Sequence, residues 1–516
     1  MKINIPWKSF GIIAALGLIV YANSLNGAFI WDDEYLVRDN AYIKSWGNLP
    51  RIFTEDIGAG VGHRFTFYRP LQMLSYMLDH SLWGLNVRGY HLTNVVFHVL
   101  AAWAVFGLIM ALYKEERLAL WTGILFVIHP VHTEAVCYIS SRADPMFAFF
   151  LLLTAVFYIK NLDSKCLISC FGMAAAYACA LLSKEMAVIL PGLLLLYHYA
   201  FGRRISWKPF LTLVTLAGLY VVSRMTVFNF AMEDPQQASS LVQRLPGFFA
   251  ALAGYFRLIL LPFNLHMEYG KALFRLSDPK AVAGVLIFLL LLSYLYKKRN
   301  ERGLVFFGLA WFLLALLPVS NLFPINAFMA EHWLYLPAIG LFLIAAKGLD
   351  NLYKNEGLSY FYIAVAIGVV AFYSGITVMQ NHYWNDPITF YGRSLGYAPK
   401  SVRMHNGLAL AYYEAGDQDK AISTYKDAVK ALPDSASMYN NLGALYMATG
   451  KGAPARESFL RAIELDQDYG EPYGNLAIYH FRNKEYILAI EYYDKASRRG
   501  VVNPELQKDL QPHRVK

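Results

Sequence analysis

Long apolar runs alternate with short polar segments over roughly the first 380 residues. Eleven of these runs approach the length of about 20 residues that an α-helix needs to cross a bilayer. A further run, 246–265, is consistent with this count only as a re-entrant or interfacial segment. The pattern predicts eleven spans, at about 10–25, 91–113, 118–137, 145–160, 166–183, 186–201, 209–227, 281–296, 303–320, 333–346 and 358–379.

The loops between the runs differ in their basic residues. Lys and Arg are concentrated in alternate loops, which include Lys114, Arg203 and the run KKRNER at 297–302. Because cytoplasmic loops carry an excess of Lys and Arg, the asymmetry places Lys2 inside and residues 27–90 outside. It also explains the net charge of +9 without nucleic-acid binding. We expect an integral protein of a bacterial inner membrane with an extracytoplasmic C-terminal region.

The pattern changes after about residue 400, where small and apolar residues recur at an interval of 34. The recurring positions are Leu408, Leu442 and Leu476, then Ala421, Ala455 and Ala489, then Tyr425, Phe459 and Tyr493. This spacing is typical of tetratricopeptide repeats, helix pairs that usually form a protein-binding surface. The chain is therefore predicted to be all-α, with a membrane domain at 1–382, a connecting half-repeat at 383–400, and three repeats with a capping helix at 401–516.

Charged residues cluster at the predicted external ends of the spans. The stretch WDDE, residues 31–34, follows closely on the first run, and later external segments add His, Arg, Lys and Glu. A carboxylate can take a proton from a hydroxyl, and cations can stabilise a phosphate beside it. Ionisable groups near a bilayer are functional candidates by default. The candidate site comprises Asp32, Asp33, Glu34, His63, Arg64, Arg69, His129, His132, Glu134, Arg142, Asp144, Lys184, Glu185, Glu331 and His332.

No cofactor motif accompanies these residues. The sequence contains neither a Gly-rich phosphate loop nor its strand–turn–helix context, so no nucleotide is predicted. His129, His132 and Glu134 could ligate a metal, but their spacing matches metal sites loosely, and a role in orienting the site is preferred. We expect no metal and no cofactor.

The motifs occur in one order along the chain, followed by the repeats. They are FIWDDEYLVRDN, YRPLQMLSYMLDHSLWGLNVRGYHLTNVVFHVL, HPVHTEAVCYISSRAD, LLSKEMAVILP and AEHWLYLPAIG. With these segments the chain resembles the transmembrane and tetratricopeptide-repeat proteins, which are GT-C-fold O-mannosyltransferases that use a polyprenyl-phosphate donor. The resemblance covers nearly the whole chain.

The resemblance implies an inverting transferase that moves a sugar from a polyprenyl phosphate to a hydroxyl of a protein or glycan. It assigns the catalytic acid pair to Asp32 and Asp33. Asp33 is expected to be the general base, with Asp32 orienting the acceptor or a cation and Glu34 facing solvent. The remaining candidates are expected to bind substrate. Those expected near the donor phosphate are Arg64, Arg69, Arg142 and Lys184.

Other classes of protein remain open. In a metal-dependent oligosaccharyl transferase, the acidic stretch would hold a divalent ion rather than accept a proton. A polymerase or ligase of surface polysaccharide is a further enzymatic alternative. A non-enzymatic scaffold or transporter would show charged residues deep in broken helices and repeated halves, and we expect neither here.

Overall fold

The computed structural model describes residues 6–164, 167–228, 230, 240–270, 274–325 and 327–514. Lys2, which is predicted to be cytoplasmic, lies outside these residues. The described residues form helices and turns without any β-strand, which confirms the predicted all-α class. They divide into two compact units, Met1–Asp386 and Pro387–Lys516.

The first unit is a bundle of apolar helices. Turns of 3₁₀ helix at Pro130–His132, Ile139–Arg142, Glu185–Ile189 and Glu331–Leu334 interrupt it and carry many of the candidate residues. Its α-helices are α1 (Trp7–Val20), α2 (Leu49–Ile52), α3 (Pro70–Trp83), α4 (Val87–Tyr113), α5 (Glu116–Ile128), α6 (Thr133–Cys137), α7 (Ala143–Ser164), α8 (Leu167–Ser183), α9 (Leu190–Ala200), α10 (Trp207–Thr226), α11 (Leu241–Leu260), α12 (Pro279–Lys298), α13 (Leu304–Leu316), α14 (Ala338–Lys354) and α15 (Ser359–His382).

Six helical segments of the described residues are long and apolar enough to cross a membrane, by length and composition alone. The pair Glu116–Ile128 and Pro130–Cys137, bent by 54°, makes seven if it counts as one span. Other predicted runs form shorter apolar helices, so the count of eleven stays a prediction. The six segments are Trp7–Asn26, Val87–Tyr113, Ile139–Leu162, Trp207–Thr226, Pro279–Lys298 and Ser359–His382.

The run 246–265, for which the sequence did not decide between a span and an interfacial segment, contributes to α11, an amphipathic helix. A capping box begins the helix, in which the N–H of Ser240 donates to Oε1 of Gln243 at 2.8 Å. Leu252 and Tyr255 are buried on one side of the helix, whereas Arg257 is exposed. This amphipathic pattern is typical of a helix at an interface.

Helices α13 and α14 approach closely through two glycines. A Cβ atom on Gly340 would lie 2.1 Å from the carbonyl oxygen of Gly308, and one on Gly308 would lie 2.5 Å from the carbonyl oxygen of Gly340. Gly340→Ala is therefore expected to destabilise the protein by about 1–3 kcal/mol, since backbone must move. Gly348, also in α14, has no atom within 4 Å of its Cβ position and supplies the control. Equal melting temperatures in detergent for Gly340→Ala and Gly348→Ala would contradict this prediction.

The second unit consists of antiparallel helix pairs in the predicted repeat phase. Ala421, Ala455 and Ala489 are fully buried where paired helices meet. Gly416 and Gly450 adopt left-handed φ values of 82° and 74° between the helices of the first two pairs. The helices are α16 (Pro387–Tyr397), α17 (Val402–Glu414), α18 (Gln418–Ala431), α19 (Ala436–Ala448), α20 (Gly452–Leu465), α21 (Gly470–Arg482), α22 (Tyr486–Ser497) and α23 (Pro504–Leu510).

The third repeat departs from this pattern where the sequence does. Lys484 replaces glycine between α21 and α22, and it keeps a left-handed φ of 63° despite its Cβ atom. The predicted capping helix is present as α23. Its N-terminus is capped by Asn503, whose Oδ1 accepts a hydrogen bond from the N–H of Leu506 at 3.0 Å.

Candidate active site

Asp33 is the most enclosed carboxylate of the acidic stretch, with an exposed fraction of 1%. Its Oδ1 accepts hydrogen bonds from the N–H and the hydroxyl of Ser140, at 2.7 and 2.6 Å. Its Oδ2 accepts from the N–H of Ile30 at 3.2 Å. Burial raises the pKa of Asp33 to about 7, while the hydrogen bonds from Ser140 and Ile30 act in the opposite direction. Asp33 thus ties the acidic stretch to the turn before α7.

The carboxylates on either side of Asp33 are more exposed. Asp32 is half-buried, and its N–H donates to the hydroxyl of Tyr138 at 3.2 Å. Glu34 is also half-buried and forms an ion pair with Arg38 one helical turn later, at 3.2 Å. The three acidic residues therefore have different surroundings, and Asp32 is the more accessible aspartate.

Arg142 lies at the centre of a fully buried polar network. Its guanidinium donates to Oδ1 of Asn94 at 2.6 Å, Oγ of Ser75 at 3.1 Å and the carbonyl of Tyr90 at 2.9 Å. It also forms an ion pair with Asp79 at 2.6 Å. These partners come from α3 and α4, so Arg142 holds both helices to the turn before α7. All of its nitrogens are engaged inside the protein, and its contact with a donor phosphate stays a prediction.

Two other predicted phosphate ligands are also paired with carboxylates. Lys184 is buried, and its Nζ donates to both oxygens of Asp144, at 2.7 and 2.8 Å. Arg69 forms a bidentate pair with Glu185, with N–O distances of 3.1 and 2.7 Å. The second pair is more open, since the side chain of Glu185 is 41% exposed. A substrate phosphate could reach Lys184 only if its pair with Asp144 opened.

Glu134 and His332 form a further pair. One oxygen of Glu134 accepts from the backbone N–H of His332 at 3.0 Å, and the other accepts from its Nδ1 at 2.7 Å. Glu331, the preceding residue, is buried, and its Oε1 accepts from the N–H of His266 and the hydroxyl of Tyr269, each at 2.6 Å. The 3₁₀ turn that begins at Glu331 is thus held by two carboxylates.

The remaining histidines have different surroundings. His129 is buried at the bend between α5 and α6, where Nδ1 accepts from the N–H of Val131 and Nε2 contacts the carbonyl of Ile259. His132 is fully buried beside the ring of Tyr335, with centroids 4.7 Å apart. Both ring nitrogens of His129 have partners inside the protein, and the role of His129 and His132 in substrate binding stays a prediction. His63 and Arg64 are exposed in the segment before α3.

The contacts join candidate segments that are distant in sequence. Asp33 meets the segment of Ser140, Arg69 meets Glu185, Asp144 meets Lys184, and Glu134 meets His332. Sequence reasoning missed Ser140, Tyr138 and Asp79. Ser140 and Tyr138 lie inside the quoted motif HPVHTEAVCYISSRAD, and Asp79 lies inside the quoted motif that begins at Tyr68, which was an available signal.

Two charged residues follow a break between helices. The break at His129 separates α5 from α6, and buried Glu134 and Arg142 follow it. Both charges are paired, Glu134 with His332 and Arg142 with Asp79, and the argument against a transporter stays a prediction. Within the described ranges, no group of three or more His, Cys, Asp or Glu residues could hold a metal ion.

Comparison with known proteins identifies both parts of the chain. Models of the TPR repeat and the tetratricopeptide repeat match residues 409–450 and 436–469. A protein O-mannosyl-transferase of Caenorhabditis elegans is 25% identical over 442 residues, which cover 81% of this chain and 62% of that protein. Protein O-mannosyl-transferase TMTC1 of Homo sapiens is 26% identical over 492 residues, covering 82% and 55%. The homologues of this chain are TMTC-type protein O-mannosyl-transferases.

The predicted family resemblance is thereby confirmed. The chain spans less than two thirds of the length of these TMTC-type relatives. Two solved membrane enzymes also match at low similarity. ArnT from Cupriavidus metallidurans bound to undecaprenyl phosphate is 13% identical, with a TM-score of 0.40 over 90% of this chain and 80% of that one. The oligosaccharyltransferase AglB from Archaeoglobus fulgidus is 13% identical, with a TM-score of 0.44 over 74% and 56%.

Proposed function

We propose that the protein is a GT-C-type membrane glycosyltransferase. It moves mannose or another hexose from a polyprenyl-phosphate donor to a hydroxyl of a protein or glycan on the extracytoplasmic face. The observation that supports this proposal most directly is the pairing of motif segments that are distant in sequence, among them the hydrogen bond between Asp33 and Ser140. The names of the homologues point to the same class of reaction.

In this proposal Asp32 is the general base and Asp33 is the positioning residue. The sequence led us to expect the opposite assignment. A general base must reach the hydroxyl that it deprotonates. Both oxygens of Asp33 accept hydrogen bonds inside the protein, whereas Asp32 is half-buried. Asp32 is therefore the base, and Asp33 positions it by anchoring the acidic stretch to Ser140. The attack of the hydroxyl oxygen on the anomeric carbon displaces the carrier phosphate and inverts that centre.

The reaction needs no bound metal in this proposal. The paired charges at the site cancel in part, and exposed groups such as Arg64 are left to attract an anionic lipid headgroup. The repeats bind an acceptor or partner protein, the role most typical of their architecture.

The proposal is tested by the lipids that accompany the purified protein and by turnover of a supplied donor. Native mass spectrometry should reveal a bound polyprenyl-phosphate hexose, and slow release of the hexose should follow when that donor is added. Activity should persist in EDTA. Loss of turnover in EDTA with recovery in Mn²⁺ would support a metal-dependent oligosaccharyl transferase instead. Neither bound lipid nor turnover would support a scaffold or transporter.

A further inference from the structure

A polar pocket of about 380 Å³ lies at the start of α5 and the end of α14. The candidate active-site residues follow the other end of α5, which is 13 residues or about 20 Å long, and precede α14. Sites for small ligands usually measure about 300–1,000 Å³. The pocket is therefore a separate cavity of suitable size, and its lining carries both signs of charge. The lining residues are Glu115, Glu116, Arg117, Asp350 and Lys354.

Asp350 holds three cations at this pocket. Its carboxylate is buried, and Oδ2 lies 2.6 Å from Nζ of Lys354 and 3.4 Å from Nζ of Lys347. Oδ1 lies 3.3 Å from Nε of Arg117. Burying a carboxylate is costly unless it is paired, and here three cations share one buried carboxylate. Asp350 thus fixes the positive side of the pocket from beneath.

Arg117 keeps two nitrogens for a ligand. Only its Nε faces Asp350, and its guanidinium stacks on the ring of Tyr353 at 3.7 Å. Among the residues that the structure describes, Nη1 and Nη2 of Arg117 make no hydrogen bond, and the side chain is 42% exposed. A planar guanidinium can offer two N–H groups to one phosphate. The stacked and anchored Arg117 is therefore suited to bind a phosphate that enters the pocket.

The carboxylates of the lining suit a cation beside that phosphate. Oε2 of Glu115 lies 3.3 Å from Nζ of Lys354, while Oε1 has no hydrogen-bond partner within the described ranges. Oε1 of Glu116 accepts from the hydroxyl of Ser9 at 2.7 Å. Because an ionised carboxylate only accepts hydrogen bonds, Glu115 favours a ligand group that carries N–H or O–H. The pocket can therefore receive an anion and a cation at the same time.

The surroundings of the pocket are those of a lipid headgroup. Trp121 donates its indole N–H to the hydroxyl of Tyr362 at 3.1 Å, and the rings of Tyr353 and Tyr362 meet edge to face, with centroids 5.2 Å apart. Trp and Tyr are enriched at the level of the headgroups in membrane proteins. Ile12, one turn after Ser9 in α1, is exposed. An occupant with a polar head and apolar chains fits this position.

We propose that the pocket binds a zwitterionic phospholipid with a primary ammonium group, of the phosphatidylethanolamine type. Its phosphate contacts Arg117, and its ammonium group contacts Glu115. Basic pockets between membrane helices on the cytoplasmic side bind lipid headgroups, and both loops that form this pocket are predicted to be cytoplasmic. An anionic headgroup would leave Glu115 opposite negative charge. This inference is independent of the proposed transfer reaction.

The test compares phosphatidylethanolamine, phosphatidylcholine and phosphatidylglycerol with identical acyl chains. Their dissociation constants are measured by native mass spectrometry of the full-length protein in detergent. Phosphatidylethanolamine should bind about ten- to hundredfold more tightly than the other two, the effect of one hydrogen bond between charged groups. Phosphatidylcholine has the same phosphate but no N–H, and phosphatidylglycerol has no cation. Preference for phosphatidylglycerol, or equal binding of all three, would overturn the inference.

Two variants assign the contacts. Arg117→Gln should weaken phosphatidylethanolamine and phosphatidylcholine alike by about ten- to hundredfold, because both lose a contact to phosphate. It should fold, since Asp350 keeps Lys354. Glu115→Gln should instead remove most of the preference for phosphatidylethanolamine over phosphatidylcholine. Arg299, exposed and stacked on Tyr296 at 4.0 Å, supplies the control, and Arg299→Gln should change nothing.

Two outcomes of these substitutions would contradict the proposed contacts. Unchanged binding of phosphatidylethanolamine in Arg117→Gln would mean that the charges around Asp350 only join α5 to α14. Equal weakening of all three lipids in Glu115→Gln would mean that this substitution disturbs the structure and that Glu115 does not select the ammonium group.

Discussion

Asp32→Asn is expected to lower sugar transfer by about a hundred- to ten-thousandfold, the usual effect of removing a general base. Asn is almost isosteric with Asp but cannot accept the hydroxyl proton. Donor binding should be retained, because the lipid and the phosphate supply most of it. The measurement is transfer from a polyprenyl-phosphate hexose, together with the dissociation constant of that donor.

The neighbouring carboxylates supply matched controls. Glu34→Gln should stay active, since Glu34 is paired with Arg38. Asp33→Asn should lower both activity and melting temperature, because an amide replaces an oxygen that accepts from the N–H of Ile30. Full activity in Asp32→Asn, with an inactive but normally stable Asp33→Asn variant, would return the role of base to Asp33. Three active variants would mean that the acidic stretch only marks the membrane boundary.

Arg142→Met is expected to destabilise the protein by about 3–5 kcal/mol. Removing one partner of a buried ion pair leaves an uncompensated charge, here on Asp79. The side-chain oxygen of Asn94 would also lose its donor. Thermal unfolding in detergent, followed by intrinsic fluorescence, measures the effect.

A second substitution separates the ion pair from a role in substrate binding. Adding Asp79→Asn to Arg142→Met should recover part of the lost stability, because the orphaned charge is removed. Arg64→Gln, at an exposed position, should leave the melting temperature nearly unchanged. If Arg142→Met melted normally and bound donor weakly, Arg142 would have to contact the phosphate after all.

Much of the fold follows from local sequence patterns. The interval of 34 residues located the helix pairs of the second unit, and Asn503 marked the start of its last α-helix. Hydropathy located the apolar helices but not the number of spans, because several of these helices are short or bent. The membrane offers no alternative to internal hydrogen bonding, so an apolar run becomes a helix wherever it lies.

The candidate site was less predictable, because charge and residue type do not reveal partners. The sequence indicated that Arg142, Lys184 and Glu134 are unusual near a bilayer, and the structure shows that each is buried. Their roles could not be inferred, since an arginine facing a phosphate and an arginine facing a buried aspartate look alike in sequence. Asp79 and Asn94, the partners of Arg142, lie within the quoted motif that begins at Tyr68, but the motif does not show which residue they contact.

The sequence by itself determined the helical class, the repeat unit and the set of ionisable residues, because these depend on composition and on spacings of a few to 34 residues. Only the tertiary structure decided which of these ionisable residues pair with one another inside the protein. Asp33 meets Ser140 across 107 positions and Glu134 meets His332 across 198. Hydrogen bonds and ion pairs act over about 3 Å, so their partners are known only once the folded helices bring these segments together.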